Sequence, residues 1–76
     1  MTWHDRLVAD PNVCHGKVCV RGTRVMVAVI LDNLAAGESP ADIASGYGVA
    51  LEDVHAAIQY AAQAVKDHYV SLPGAA

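Results

Sequence analysis

The sequence contains no phenylalanine, a single tryptophan and only five basic residues among its 76. Without large aromatic side chains, a core has to be assembled from Val, Ile, Leu and Ala packed closely, which favours helices that approach one another. Hydrophobic residues make up 54% of the chain, yet a domain of this size buries only about 60% of the surface its unfolded chain exposes. An oligomer that hides further apolar area is therefore expected. Long apolar runs are also lacking: the longest, Val25 to Leu31, is far short of the roughly 20 residues that span a bilayer. The N-terminus does not follow the basic-then-apolar plan of an export signal. Cys14 and Cys19 alone make no disulfide framework, so reduced thiols and a cytoplasmic location are expected.

What charge there is divides unevenly. Arg6, Lys17, Arg21 and Arg24 face only Asp5 and Asp10 within the first 24 residues, whereas from Val25 onward Lys66 stands alone against Asp32, Glu38, Asp42, Glu52, Asp53 and Asp67. The chain reads as a basic arm and an acidic body.

Two short strands are predicted in the arm. Arg6 to Val8 is stopped by the turn signal Asp10-Pro11-Asn12, where proline fixes its own torsion and the Asp and Asn side chains bond nearby backbone. Lys17 to Arg21 alternates Val18 and Val20 against Lys17, Cys19 and Arg21, and Gly22 bends the chain after it. From Val27 the spacing turns helical through Ile30, Leu31 and Leu34, and Gly37 suits a left-handed cap. Ser39-Pro40 opens a second helix, which the Gly46-Tyr47-Gly48 stretch is expected to break. A third runs from Leu51 to about His68, with Leu51, Val54, Ile58, Ala61, Val65 and Tyr69 along one face. The expectation is one mainly α domain over residues 1–70: a hairpin over about 6–25, then a three-helix bundle with helices over about 27–36, 40–46 and 51–68, and a frayed tail over 71–76.

Residues 40–59 carry the pattern of a helix-turn-helix, in a homeodomain-like or winged-helix-like arrangement. Ala44 stands where two helices touch, Gly48 at the turn, and Ile43, Val49, Val54 and Ala57 where burial is required. Such a pair reads DNA with the first residues of its second helix. Here those are Ala50, Leu51, Glu52, Asp53, His55 and Ala56, with no basic or amide side chain and two acids that would meet phosphate. A structural corner or a dimer surface answers the same pattern.

The candidate chemistry in the arm is limited. Cys14, His15 and Cys19, even with His4, lack the second ligand pair of a structural zinc site. Cys14 and His15 would point to opposite faces of a strand, which spoils a nucleophile and base pair. Gly16-Lys17-Val18 is only a fragment of a phosphate loop. Asp32, Asp42, Glu52 and Asp53 read as helix caps and solvated faces. Neither metal nor cofactor is implied, and catalysis by this chain is not expected. Arg21-Gly22-Thr23-Arg24, with Lys17, offers a compact set of donors for phosphates or carboxylates. Equally, Arg24 could pair with Asp32 or Asp10 and fix the hairpin to the body.

Asp10-Pro11, Gly16-Lys17, Val20-Arg21-Gly22-Thr23-Arg24-Val25, Ala36-Gly37, Tyr47, Leu51-Glu52-Asp53-Val54 and Tyr60-Ala61 together resemble the domain-of-unknown-function family 433 over roughly Arg6 to Ala62. The resemblance implies a small bacterial or archaeal protein with an N-terminal hairpin and a helix-turn-helix-like bundle. It also implies a likeness to VapB-type antitoxins and a gene often beside a PIN-like ribonuclease. Two positions depart from the family: a glycine is usual near His15 and a proline near Val18, and neither cysteine is reserved. The expected function is that of a dimeric antitoxin-like binding protein that neutralises a PIN-like toxin and binds operator DNA through Arg6, Lys17, Arg21, Thr23 and Arg24. Candidate subunit contacts are Val25 to Leu31 and the alanine face around Ala57, Ala61 and Ala64; the alternative for either is that it belongs to the core. The alternative is a protein-interaction or dimerisation module with no nucleic-acid role.

Overall fold

The computed structural model describes residues 2–68 and 72–74. The chain opens with a turn of 3₁₀ helix, Trp3–Arg6, and passes into strand β1, Leu7–Ala9. Strand β2, Val18–Val20, pairs antiparallel with it in the register Leu7 to Val20, Val8 to Cys19 and Ala9 to Val18. Three helices follow: α1 over Val27–Ala35, α2 over Pro40–Tyr47 and α3 over Leu51–Asp67. The architecture is thus mainly helical with a two-stranded N-terminal hairpin, as expected from the sequence, and no described helix is long and apolar enough to cross a membrane.

Local chemistry accounts for the boundaries. The Asp10 carboxylate accepts from the Asn12 amide at 2.8 Å and the Asp10 carbonyl from the Val13 amide at 2.9 Å, closing the turn after β1. Helix α1 ends where Gly37 takes φ +98°, with the Glu38 amide reaching the Asn33 carbonyl at 3.1 Å and the Gly37 amide the Leu34 carbonyl at 3.0 Å. These bonds satisfy carbonyls that the helix itself leaves open. At α2 the Ser39 hydroxyl accepts from the Asp42 amide at 3.1 Å and Pro40 fills the first helical position.

Leu7, Val20, Val27, Ile30, Ile43, Ala44, Val54, Ala56 and Ala57 form the core, with Trp3, Leu31, Leu34, Val49 and Tyr60 packed at its edges. The hairpin, α1, α2 and α3 therefore share one small apolar centre. Trp3 meets Tyr60 edge-on with ring centres 6.1 Å apart, which seats the N-terminal turn against α3.

Helix α2 ends within the Gly46-Tyr47-Gly48 stretch, as expected, with Gly48 taking φ +69° as its cap. Other expectations need correction. A β-carbon at Gly48 would meet nothing within 4 Å, so the backbone angle and not helix contact demands glycine there. Cys19 was expected on the face away from Val20, yet both are buried. The chain returning through Met26 pairs with Cys19 at the sheet edge, and the Cys14 thiol bonds the Arg24 carbonyl of that returning chain. The largest correction concerns α3. Val54 and Ala57 face the core, with Ala61 and Ala64 half-buried beside them, but Leu51, Ile58 and Val65 lie exposed. Ala57 is thus core and not a subunit contact, as are Val27 and Ile30 of the Val25 to Leu31 run. Tyr69, Ser71, Ala75 and Ala76 lie outside the described residues, and the part of the tail that is described, residues 72–74, has no regular structure.

Candidate nucleic-acid interface

The Arg21-Gly22-Thr23-Arg24 segment is a latch before it is anything else. The Val20 carbonyl accepts from both the Thr23 amide at 3.0 Å and the Thr23 hydroxyl at 2.8 Å, and that hydroxyl accepts from the Val25 amide at 3.0 Å. Gly22, at φ +80°, makes the bend. The Arg21 guanidinium donates to the carbonyls of Asp5 at 2.9 Å and Leu7 at 3.4 Å, tying the bend back to the N-terminal turn and β1. The Arg24 carbonyl accepts from the Cys14 thiol at 3.4 Å. Each residue of the tetrad therefore has a structural duty, three of them through the side chain or torsion that the sequence pattern specifies.

Arg6 is also engaged. It donates to Asp53 at 3.0 Å and lies 3.8 Å from Glu52, both in the first turn of α3. The other Asp53 oxygen accepts from the Ala50 amide at 2.9 Å. One carboxylate thus caps α3 and anchors the N-terminal turn, a role that the helix-dipole reading of Asp53 only half anticipated.

The five residues proposed as one DNA-contacting set are distributed. Arg21, Thr23 and Arg24 line one concavity with Val8, Asp10 and Val13. Lys17 lies on another beside Met26, Leu31 and Tyr60, and Arg6 on a third with Trp3, His55 and Ile58. Among the described residues the only ion pairs are those of Arg6, so Arg24 pairs with neither Asp10 nor Asp32. Lys17 and Arg24, both exposed, remain the cations of the arm without a bonded partner among the described residues.

The cysteines sit together behind the latch. Burial pushes the Cys19 thiol above its ordinary range, with the neighbouring Cys14 and Asp10 adding to the shift and Arg24 opposing it. A thiol held protonated in this way is a weak nucleophile. Among the described residues no group of three or more His, Cys, Asp or Glu side chains is placed to hold a metal ion.

These features define a small hairpin and three-helix domain whose most specific sequence motif builds the joint between hairpin and helices. Comparison with known proteins places it further. The family described as "Protein of unknown function (DUF433)" matches residues 7–61, and the chain belongs to that family. Among solved structures the chain is similar to the X-ray crystal structure of Rv2018 from Mycobacterium tuberculosis, at 31% identity and a TM-score of 0.67, over 75% of this chain and 27% of that one. The likeness thus spans about a quarter of the Mycobacterium protein. No curated protein matches the chain.

Proposed function

We propose that the protein is a non-catalytic, antitoxin-like binding module that works as a dimer and engages a PIN-like ribonuclease through its acidic helical body. One observation carries this reading: the outer faces of the helices and the loops between them expose Asp32, Glu38, Asp42, Glu52 and Asp67, while Arg6 and Arg21 of the arm are spent on internal bonds. A nuclease must present positive charge to RNA phosphates, and an acidic surface competes for it. Co-expression with a PIN-like ribonuclease of the same genome is expected to yield a complex that co-purifies and loses ribonuclease activity. Asp32→Lys with Glu38→Lys is expected to weaken that complex at least tenfold and to reduce the loss of affinity that added salt causes; a nuclease left fully active in excess wild-type protein would refute the reading.

A second reading, operator binding through the basic arm rather than through the first residues of α3, rests on a narrower observation: Lys17 and Arg24 are exposed and unpaired among the described residues. In a gel shift with upstream DNA, Lys17→Ala plus Arg24→Ala is expected to abolish retention at moderate salt. Retention unchanged in that pair would remove the arm from DNA contact.

A further inference from the structure

The exposed face of α3 carries a pattern that its buried face does not explain. Leu51, Ile58 and Val65 recur every seven residues and are 42%, 40% and 68% exposed. His55 and Ala62, also exposed, fall between them at the alternating three and four residue steps of a coiled-coil seam. Glu52, Gln59 and Lys66 run along one flank of this seam, again seven apart and all exposed. The other flank is Val54 and Ala61, which turn into the protein. A helix of 17 residues is about 25 Å long at 1.5 Å per residue, so the seam extends almost from end to end of α3.

We propose that this seam is the contact with a second copy of the chain, with the two α3 helices antiparallel and a two-fold axis at Ile58. The order of residues selects that partner and that direction. An isologous contact must be self-complementary, and with Ile58 opposite Ile58 the seam pairs Leu51 with the partner's Val65 and brings His55 within one residue of the partner's Ala62, a larger side chain against a smaller one each time. On the flank the same axis brings Glu52 within two residues of exact register with the partner's Lys66 at both ends, an offset of about 3 Å along the helix that two long side chains span, and Gln59 close to Gln59 in the middle. Opposite charges therefore meet twice in the antiparallel dimer. A parallel pair would set Glu52 and Lys66 against the partner's apolar Val54 and Ala61 flank and would leave both charges without partners. The groove next to the seam, lined by Trp3, Arg6, His55 and Gln59, lies where the partner helix would extend the contact.

A seam of one helix per subunit falls below the roughly 800 Å² per partner of standard interfaces, so the dimer is expected to dissociate in the micromolar range. The inference rests on the dimer of the proposed function and needs neither the nuclease nor DNA. Sedimentation equilibrium of the full chain from micromolar to millimolar concentration tests it. Wild type is expected to pass from monomer to dimer. Ile58→Asp is expected to remain monomeric throughout with its helical circular dichroism intact; should that variant lose the fold, Val65→Asp, at a more exposed site, carries the test. Lys66→Glu is expected to weaken the dimer about tenfold through two repulsions, and Glu52→Lys in the same chain to restore most of the loss. A wild-type chain that stays monomeric overturns both the dimer and its surface. A dimer that persists in a folded Ile58→Asp or Val65→Asp, or a double charge swap that fails to recover, overturns this surface and leaves the dimer standing.

Discussion

His15 occupies a backbone conformation that its side chain disfavours. It sits at φ +56° and ψ +34°, between Cys14 at φ +51° and Gly16 at φ +82°, so three successive residues are left-handed where only the last is glycine. The turn returns the chain from β1 toward β2 and brings the Cys14 thiol to the Arg24 carbonyl. Each non-glycine residue there costs about 1–2 kcal/mol in contact between Cβ and the following carbonyl. His15→Gly removes that cost at one position and adds back roughly 0.5–1 kcal/mol of unfolded-state entropy. The side chain is exposed and makes no hydrogen bond among the described residues, so the substitution is expected to stabilise the fold by about 0.5–1 kcal/mol. Urea denaturation measures it, and a lower midpoint in the variant would show that the imidazole contributes more than its backbone costs.

At the scale of elements, the joint between the N-terminal turn and α3 depends on Asp53. Its side chain is 13% exposed and serves the Arg6 guanidinium with one oxygen and the Ala50 amide with the other. Asp53→Ala removes an N-terminal helix bond worth about 1 kcal/mol and leaves a half-buried guanidinium with only the distant Glu52, so a loss of about 2 kcal/mol is expected. Asp53→Asn keeps one acceptor oxygen, so only one of the two donors retains its bond, and it is expected to fall about midway. Thermal melts that show less than about 0.5 kcal/mol for the alanine variant would assign the anchoring to Trp3 and Tyr60 instead. Much of the helix layout could be read from spacing, because caps such as Ser39-Pro40 and Gly37 act locally. The Arg6 to Asp53 bond spans 47 residues and leaves no local trace. The face of α3 was misread for a related reason. Its sequence carries two apolar stripes, one of small residues around Ala57 and Ala61 and one of Leu51, Ile58 and Val65, and hydrophobicity alone selects the larger. Close approach to α2 and the N-terminal turn selects the smaller, since bulk on that side would hold α3 away from a core that is already thin.

For the whole molecule, the division into a basic arm and an acidic body was visible in the sequence, but what the arm does with its charge was not. Arg21 and Arg6 are turned inward by carbonyls and carboxylates that fold topology alone brings near them. The same topology leaves the molecule a single small core in which Ile30, Ile43 and Val54 are the largest side chains wholly withdrawn from water, apart from the Cys19 thiol. A chain of 76 residues has a net stability of about 4–11 kcal/mol at the usual 0.05–0.15 kcal/mol per residue. Ile30 lies where α1 meets the hairpin and α3, so its truncation draws on roughly half of that margin. Ile30→Ala is expected to cost about 2–5 kcal/mol through lost transfer energy and the cavity left behind. Ile30→Val is expected to cost only about 0.5–1.5 kcal/mol. At roughly 4–8 °C per kcal/mol for a domain of this size, the valine variant should melt several degrees lower and the alanine variant more than about 10 °C lower. Melting followed by circular dichroism at fixed protein concentration makes the comparison, because a chain that dimerises is further stabilised by mass action. A drop of less than about 3 °C for Ile30→Ala, below what the smallest expected cost would give, would mean that the elements do not converge on Ile30 and that the single shared core is wrong.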